Sequence, residues 1–149
     1  MFENETQIQS ALIRILNGLK QSMRITMEKH GVELSPLYFL VMKCIHEHKQ
    51  CTANTLAETL ERDKGQITRL IKELETQNLI VRHPNQSDKR SFFIKLSSSG
   101  YKCYQTLAQC DLTALKAMTS GFNDDELKQF ISMACTMSKN LKGFNERNF

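Results

Sequence analysis

Residues 52–82 read TANTLAETLERDKGQITRLIKELETQNLIVR. Thr52 stands ahead of Leu56, Ala57 and Leu60 and is placed to cap a short helix. Asp63 is placed to cap a second, with Gln66 three residues on as its capping-box partner. Ile67, Leu70, Ile71 and Leu74 follow at i, i+3, i+4 and i+7, so one side of that helix belongs to a core. Asn78 falls where it should stop, and asparagine tolerates the left-handed backbone found at helix ends. Leu79-Ile80-Val81-Arg82 is then short and β-prone. The order is helix, tight turn, helix, strand.

The side of the second helix away from the core carries Lys64, Gly65, Gln66, Thr68, Arg69 and Lys72. A helix that reads DNA needs such a polar outer face, with its N-terminal residues reaching base edges. Gly65 lets the helix start come close to a nucleic-acid backbone. Gln66 and Arg69 have the donor and acceptor sets to bond adenine and guanine twice each. Thr68 suits a thymine methyl or a phosphate. Lys64 and Lys72 suit phosphates, which set register without reading sequence. An ordinary solvated helix face explains any one of these residues equally well. What favours DNA is the segment that follows.

Pro84-Asn85-Gln86-Ser87-Asp88 is turn chemistry, and Ser91 to Leu96 alternates, with Phe92, Ile94 and Leu96 on one side. The spacing predicts a two-stranded hairpin with Asp88, Lys89 and Arg90 at its tip. An arginine on a projecting hairpin suits a narrow minor groove, where the negative potential is strongest. Asp88 cannot favour DNA by charge and is expected to fix the turn or orient an arginine. Charge follows the same map. Of a net charge of +4, residues 61–96 hold eight Lys and Arg against five Asp and Glu, whereas the first sixty residues balance at six against six.

The stretch PNQSDKRSFFIKLSSSG (84–100) resembles the wing of the MarR family, the multiple antibiotic resistance regulators. That family carries Asp-x-Arg at the wing tip, then a strand, then Leu-Thr and a glycine. Here these are Asp88 and Arg90, Ser91 to Lys95, Leu96-Ser97 and Gly100. GQITRLIKELETQNLIVR is similar to the family's recognition helix and next strand, ending in Arg82. Ser97 replaces the usual threonine, and Asn78 the usual glycine at the helix end. The resemblance implies a mainly α (α+β) winged helix-turn-helix chain with a two-stranded β-wing, and a bacterial transcription regulator. It implies that Arg90 enters the minor groove with Asp88 as support, and that residues around Gly65, Gln66, Thr68 and Arg69 read the major groove. Arg82 and Lys89 join the expected DNA-binding set.

The flanks read as helices. Ile8, Leu12, Ile15, Leu19 and Met23 form one face of a long first helix that ends at His30-Gly31. Ser35 and Pro36 open the next, with Leu37, Leu40, Val41 and Cys44 as its buried stripe. After Ser97 a stripe of Tyr101, Tyr104, Leu107, Ala108, Leu112 and Leu115 runs to Ser120-Gly121. Asn123 caps a last helix bearing Leu127, Phe130, Ile131, Ala134, Met137 and Leu141. Within one MarR-type chain (1–149), residues 32–97 are expected to form the DNA-binding part. Residues 1–31 and 98–149 are expected to form the dimerisation part, because their apolar faces would otherwise stand in water.

The resulting expectation is a homodimeric repressor on a palindromic operator in double-stranded DNA, with no cofactor. The resemblance further implies release by a small aromatic or phenolic ligand, bound where the dimer helices meet the winged domain. Met23, Leu37, Tyr38, Val41 and Tyr101 are candidates to line that site, although core packing accounts for each of them.

Five cysteines without an export signal suggest reduced thiols, and the polar N-terminus with no long apolar run suggests a cytoplasmic protein without a membrane span. Cys44, His46, His48 and Cys51 match no strong zinc spacing, so no metal is assigned. A redox- or metal-responsive regulator of the same fold is the alternative, with Cys51 (beside Lys49) and Cys103 (beside Lys102) as the thiols nearest positive charge. An enzyme is not expected. There is no phosphate-cradling glycine loop or nucleophile elbow, and His30, His46, His48 and His83 are scattered. The rival of another class is a protein-binding module that does not touch DNA. The charged wing argues against it.

Overall fold

The computed structural model describes residues 2–149 as six helices and one hairpin. The order is α1 (Glu3–Lys29), α2 (Pro36–Glu47), α3 (Ala53–Leu60), α4 (Lys64–Thr76), β1 (Ile80–Pro84), β2 (Phe92–Leu96), α5 (Ser98–Met118) and α6 (Asp124–Asn148). This is the mainly helical winged helix-turn-helix expected from the sequence. The chain forms two compact units, one ending at Ala114 and the other running Leu115–Phe149.

Local chemistry sets most element ends in the first unit. Thr52 accepts the Thr55 backbone N–H, and the Thr55 hydroxyl returns a bond to the Thr52 N–H, so α3 starts on a full capping box. Asp63 Oδ1 accepts the Gln66 N–H at 2.9 Å and caps α4. The expected return bond from the Gln66 side chain does not form, so this cap is one-sided. Ser35 is the N-cap of α2 by backbone shape but makes no side-chain cap bond, leaving Pro36 as the start signal. Asn78 adopts the left-handed backbone (φ 58°) and turns the chain from α4 into β1.

The core of this unit is apolar throughout: among the described residues no polar or charged side chain is buried. Val41 and Met42 from α2, Leu56 from α3, Ile67 and Leu74 from α4, Ile94 from β2 and Leu107 from α5 meet in it. Met27 closes it from α1. The buried arc of α2 is wider than its sequence stripe suggests and is centred elsewhere. Tyr38, Phe39, Val41, Met42, Cys44 and Ile45 are inside, and Leu40 is 47% exposed. A helix packed on adjoining sides buries positions outside a single i, i+3, i+4 stripe, and Leu40 lies on the side left over.

β1 and β2 pair antiparallel, with Ile80 opposite Leu96 and Arg82 opposite Ile94. The Ile94 N–H also donates to the Cys51 carbonyl at 2.8 Å, which ties the hairpin to the chain entering α3. A second crossing joins the end of α4 to the start of α5. The Ser97 hydroxyl donates to the Asn78 carbonyl at 2.6 Å and accepts the Gly100 N–H at 2.9 Å. The Ser97 N–H donates to the Leu79 carbonyl at 3.0 Å. A Cβ on Gly100 would lie 1.8 Å from that same carbonyl oxygen.

In the second unit Gly121 takes a left-handed turn (φ 89°), and Asn123 and Glu126 form a reciprocal capping box that starts α6. No residue of α6 is buried. Phe130, Ile131, Met137, Leu141 and Phe144 all stand exposed.

Gly100→Ala forces backbone apart at the α4–α5 crossing. It should lower the unfolding free energy in urea by about 2 kcal/mol or more, as overpacking against rigid backbone does. Gly18→Ala, at an open helical position, should be neutral or stabilising.

Candidate nucleic-acid interface

α4 stands with its apolar side sunk in the core and its other side in solvent, because Ile67, Leu70, Ile71 and Leu74 occupy the buried positions. Lys64, Gly65, Thr68, Arg69 and Lys72 are exposed on that outer side, and Gln66 is half-buried. The Thr68 hydroxyl donates to the Lys64 carbonyl at 2.8 Å, so its methyl and an oxygen lone pair remain to face a ligand. Arg69 sits 3.9 Å from Glu73 one turn on, an exposed and weak pair that a phosphate or base edge can displace. Gly65 lies beside the cap: a Cβ there would be 3.2 Å from Asp63 Oδ1.

The hairpin tip is ordered by side-chain bonds to backbone. Asn85 Oδ1 accepts the Ser87 N–H at 3.0 Å, and Asp88 Oδ1 accepts the Arg90 N–H at 2.9 Å. Lys89 and Arg90 are exposed, and among the described residues no salt bridge engages either. The tip therefore presents a free guanidinium on a held backbone.

Arg82 behaves differently from the rest of the expected set. Its Nε donates to Glu75 Oε1 at 2.8 Å, its Nη2 bonds the same oxygen, and its guanidinium carbon lies 4.0 Å above the centre of the Phe92 ring. Arg82 is expected in the DNA-binding set, and here its guanidinium is engaged within the protein. Sequence spacing did not point to Glu75 or Phe92, because they belong to different elements.

Of the two thiols nearest positive charge in the sequence, Cys51 is buried and Cys103 half-buried. Cys51 is fully buried, and desolvation, followed by the neighbouring Cys44, pushes its thiol up to about 12. At that value roughly one molecule in 10⁵ is thiolate at neutral pH. Burial also pushes Cys103 up, and the adjacent Lys102 does not reverse it. Cys44 Sγ is 3.6 Å from His48 Nδ1, which is held at 2.8 Å from the Cys44 carbonyl. Among the described residues no three His, Cys, Asp or Glu side chains are gathered as for a metal ion.

Of the residues expected to line a ligand site, Met23, Tyr38 and Val41 are core, and Leu37 is half-buried beside them. Tyr101 instead borders an open cleft of about 640 Å³ with Ile45, His46, His48, Lys49 and Lys95.

A recognition-type helix and an arginine-tipped hairpin in one compact unit define a winged helix-turn-helix protein. Residues 34–92 match the model of the MarR family. The regulator MhqR of Bacillus subtilis (strain 168) is 20% identical over 147 residues, which is 99% of this chain and 100% of that protein. The MepR–DNA complex of Staphylococcus aureus superimposes with a TM-score of 0.78 at 22% identity, over 88% of this chain and 96% of that one. Staphylococcus aureus MarR in complex with salicylate and kanamycin gives 0.80 at 19% identity, over 95% of each. The matched segment, residues 34–92, is thus similar to the MarR family, and the chain shares the fold of MarR-family regulators. Among the described residues no helix is long and apolar enough to cross a membrane.

Alkylation of the native protein at pH 8 should modify exposed Cys135 first and leave Cys51 unmodified until the chain unfolds. Mass mapping of a time course checks this. Early labelling of Cys51 would mean that the α2–α3 junction opens.

Proposed function

We propose that this chain is a repressor that binds a near-palindromic DNA operator as a homodimer. The observation that carries the reading is the pairing, in one compact unit, of a solvent-facing α4 with a hairpin whose tip offers an unengaged Arg90. On this reading Gln66 and Arg69 read base edges in the major groove, and Gly65 and Thr68 allow and add to that approach. Lys64, Lys72 and Lys89 hold phosphates. Arg90 enters the minor groove on a turn fixed by Asp88. The DNA complex of MepR, which shares the fold, supports this placement.

Residues 32–97 are the DNA-binding part, and 1–31 with 98–149 the dimerisation part. The exposed apolar side chains of α1 (Ile8, Leu12, Ile15) and of α6 (Phe130, Ile131, Leu141) support pairing with a second copy. A two-fold dimer places its half-sites roughly 10 bp apart, one turn of the duplex. Release by a small aromatic ligand follows if the ligand binds the DNA-free arrangement more tightly. The salicylate complex of Staphylococcus aureus MarR supports that ligand class.

Fluorescence anisotropy on DNA from upstream of the protein's own gene, against scrambled DNA at two salt concentrations, tests the reading. Tight, selective and salt-sensitive binding is expected. Arg90→Ala should weaken it roughly a hundredfold or more with the dimer intact, because one arginine contact is lost in each of the two half-sites. Unchanged affinity in that variant would remove the wing from the interface. Equal weak binding to both DNAs, followed by no enrichment from a random pool, would leave the protein-binding module.

The pair Phe130→Asp and Leu141→Asp should yield monomers in light scattering and abolish tight operator binding. The winged unit should keep its melting transition.

A further inference from the structure

Arg82 is tied to two elements at once. Through two nitrogens it holds Glu75 on the last turn of α4, and its face covers Phe92 at the start of β2. Glu75 lies on the outer side of α4, in line with Thr68 and Lys72 at i, i+4 and i+7. Phe92 is two residues from Arg90. Arg82 itself sits mid-strand in β1, opposite Ile94. One guanidinium thus spans from the helix proposed to read the major groove to the strand that carries the arginine proposed to read the minor groove.

We propose that Arg82 is a positioning residue that fixes the angle of the wing to the recognition helix and makes no phosphate contact of its own. The inference rests on the DNA-binding reading above. The side chains of Arg82 and Glu75 are 47% and 30% exposed, so solvent screens the pair and its contribution to folding is small. Its contribution is geometric. A planar fork closed on a carboxylate and stacked on a ring has one orientation, which an ammonium cannot reproduce. The bond also cancels the charge of Glu75, an acid on the face that would otherwise oppose phosphate.

This assignment reverses the sign of a simple electrostatic expectation. Glu75→Gln removes a negative charge and frees a positive one beside the DNA. If Arg82 were an available phosphate contact, the variant would bind operator more tightly. As a strut, the loss of its anchor lets the wing swing, and operator affinity falls about fivefold or more, the range of coupled neighbours. Arg82→Lys separates the two roles again. A phosphate contact survives a lysine, whereas the strut does not, so Arg82→Lys and Arg82→Met should weaken binding alike.

The experiment is a double-mutant cycle on the full chain, measuring operator affinity of wild type, Glu75→Gln, Arg90→Ala and the double variant, with Arg82→Lys alongside. The expected result is that Arg90→Ala costs several-fold less in the Glu75→Gln background, because a loosened wing no longer places Arg90. Additive effects, or tighter binding by Glu75→Gln, would overturn the proposal. Hydrogen exchange on the free proteins gives a readout independent of DNA. Exchange at Phe92–Leu96 should speed up in Glu75→Gln while the first turns of α4 keep their protection, and unchanged exchange there overturns the strut by itself. Loss of selective binding by wild type would instead strike the DNA-binding reading and leave the exchange result to judge the strut.

Discussion

The Leu79 carbonyl faces Gly100 with room for a hydrogen atom and nothing larger. Around that approach the chain leaves α4, forms the hairpin and returns as α5. Asn78 turns left-handed to start the excursion, and Ser97 ends it by bonding the Asn78 carbonyl. The wing is therefore clamped at its root by backbone and one hydroxyl. Everything beyond the root inherits its direction from this crossing. A side chain at 100 would displace β1 from β2's exit, and the tip lies a full strand further out.

The same economy appears where the hairpin meets α3. The Ile94 N–H finds the Cys51 carbonyl, and the Ile94 side chain goes into the core. A two-stranded ribbon is marginal alone in water. This one borrows stability from the helical core through Ile80 and Ile94 and leaves its far end polar. Order at the base with exposed cations at the tip suits a device that must reach away from its domain.

Much of the architecture was legible in the residues because the signals were short-range. Thr52, Asp63 and Asn123 cap helices through bonds to residues three positions on, and Asn78 declares its turn by its own backbone preference. What could not be read depended on partners distant in sequence. The stripe Leu37, Leu40, Val41, Cys44 marks a plausible face of α2, but how many neighbours wrap the helix decides that Phe39 and Met42 go in and Leu40 stays out. Cys51 has a lysine two residues away in sequence, yet the fold puts its thiol in the apolar interior. Arg82 looked like any basic residue on a DNA-facing strand. Its carboxylate lies seven residues back across a helix end, and its ring ten residues ahead across a turn. The exposed basic face of α4 and the hairpin tip could be read as a region from the sequence, while the engagement of Arg82 by Glu75 and Phe92 required coordinates.

The hairpin tip holds its shape through Asn85 and Asp88, each bonding backbone two residues on, and not through glycine. The intervening Gln86, Ser87 and Lys89 are solvent-exposed. Those three positions can therefore drift in evolution with little effect on folding, and each change would alter the surface the tip presents. Two side chains act as a fixed frame around an interchangeable insert, so related proteins can diverge in target while keeping the same scaffold.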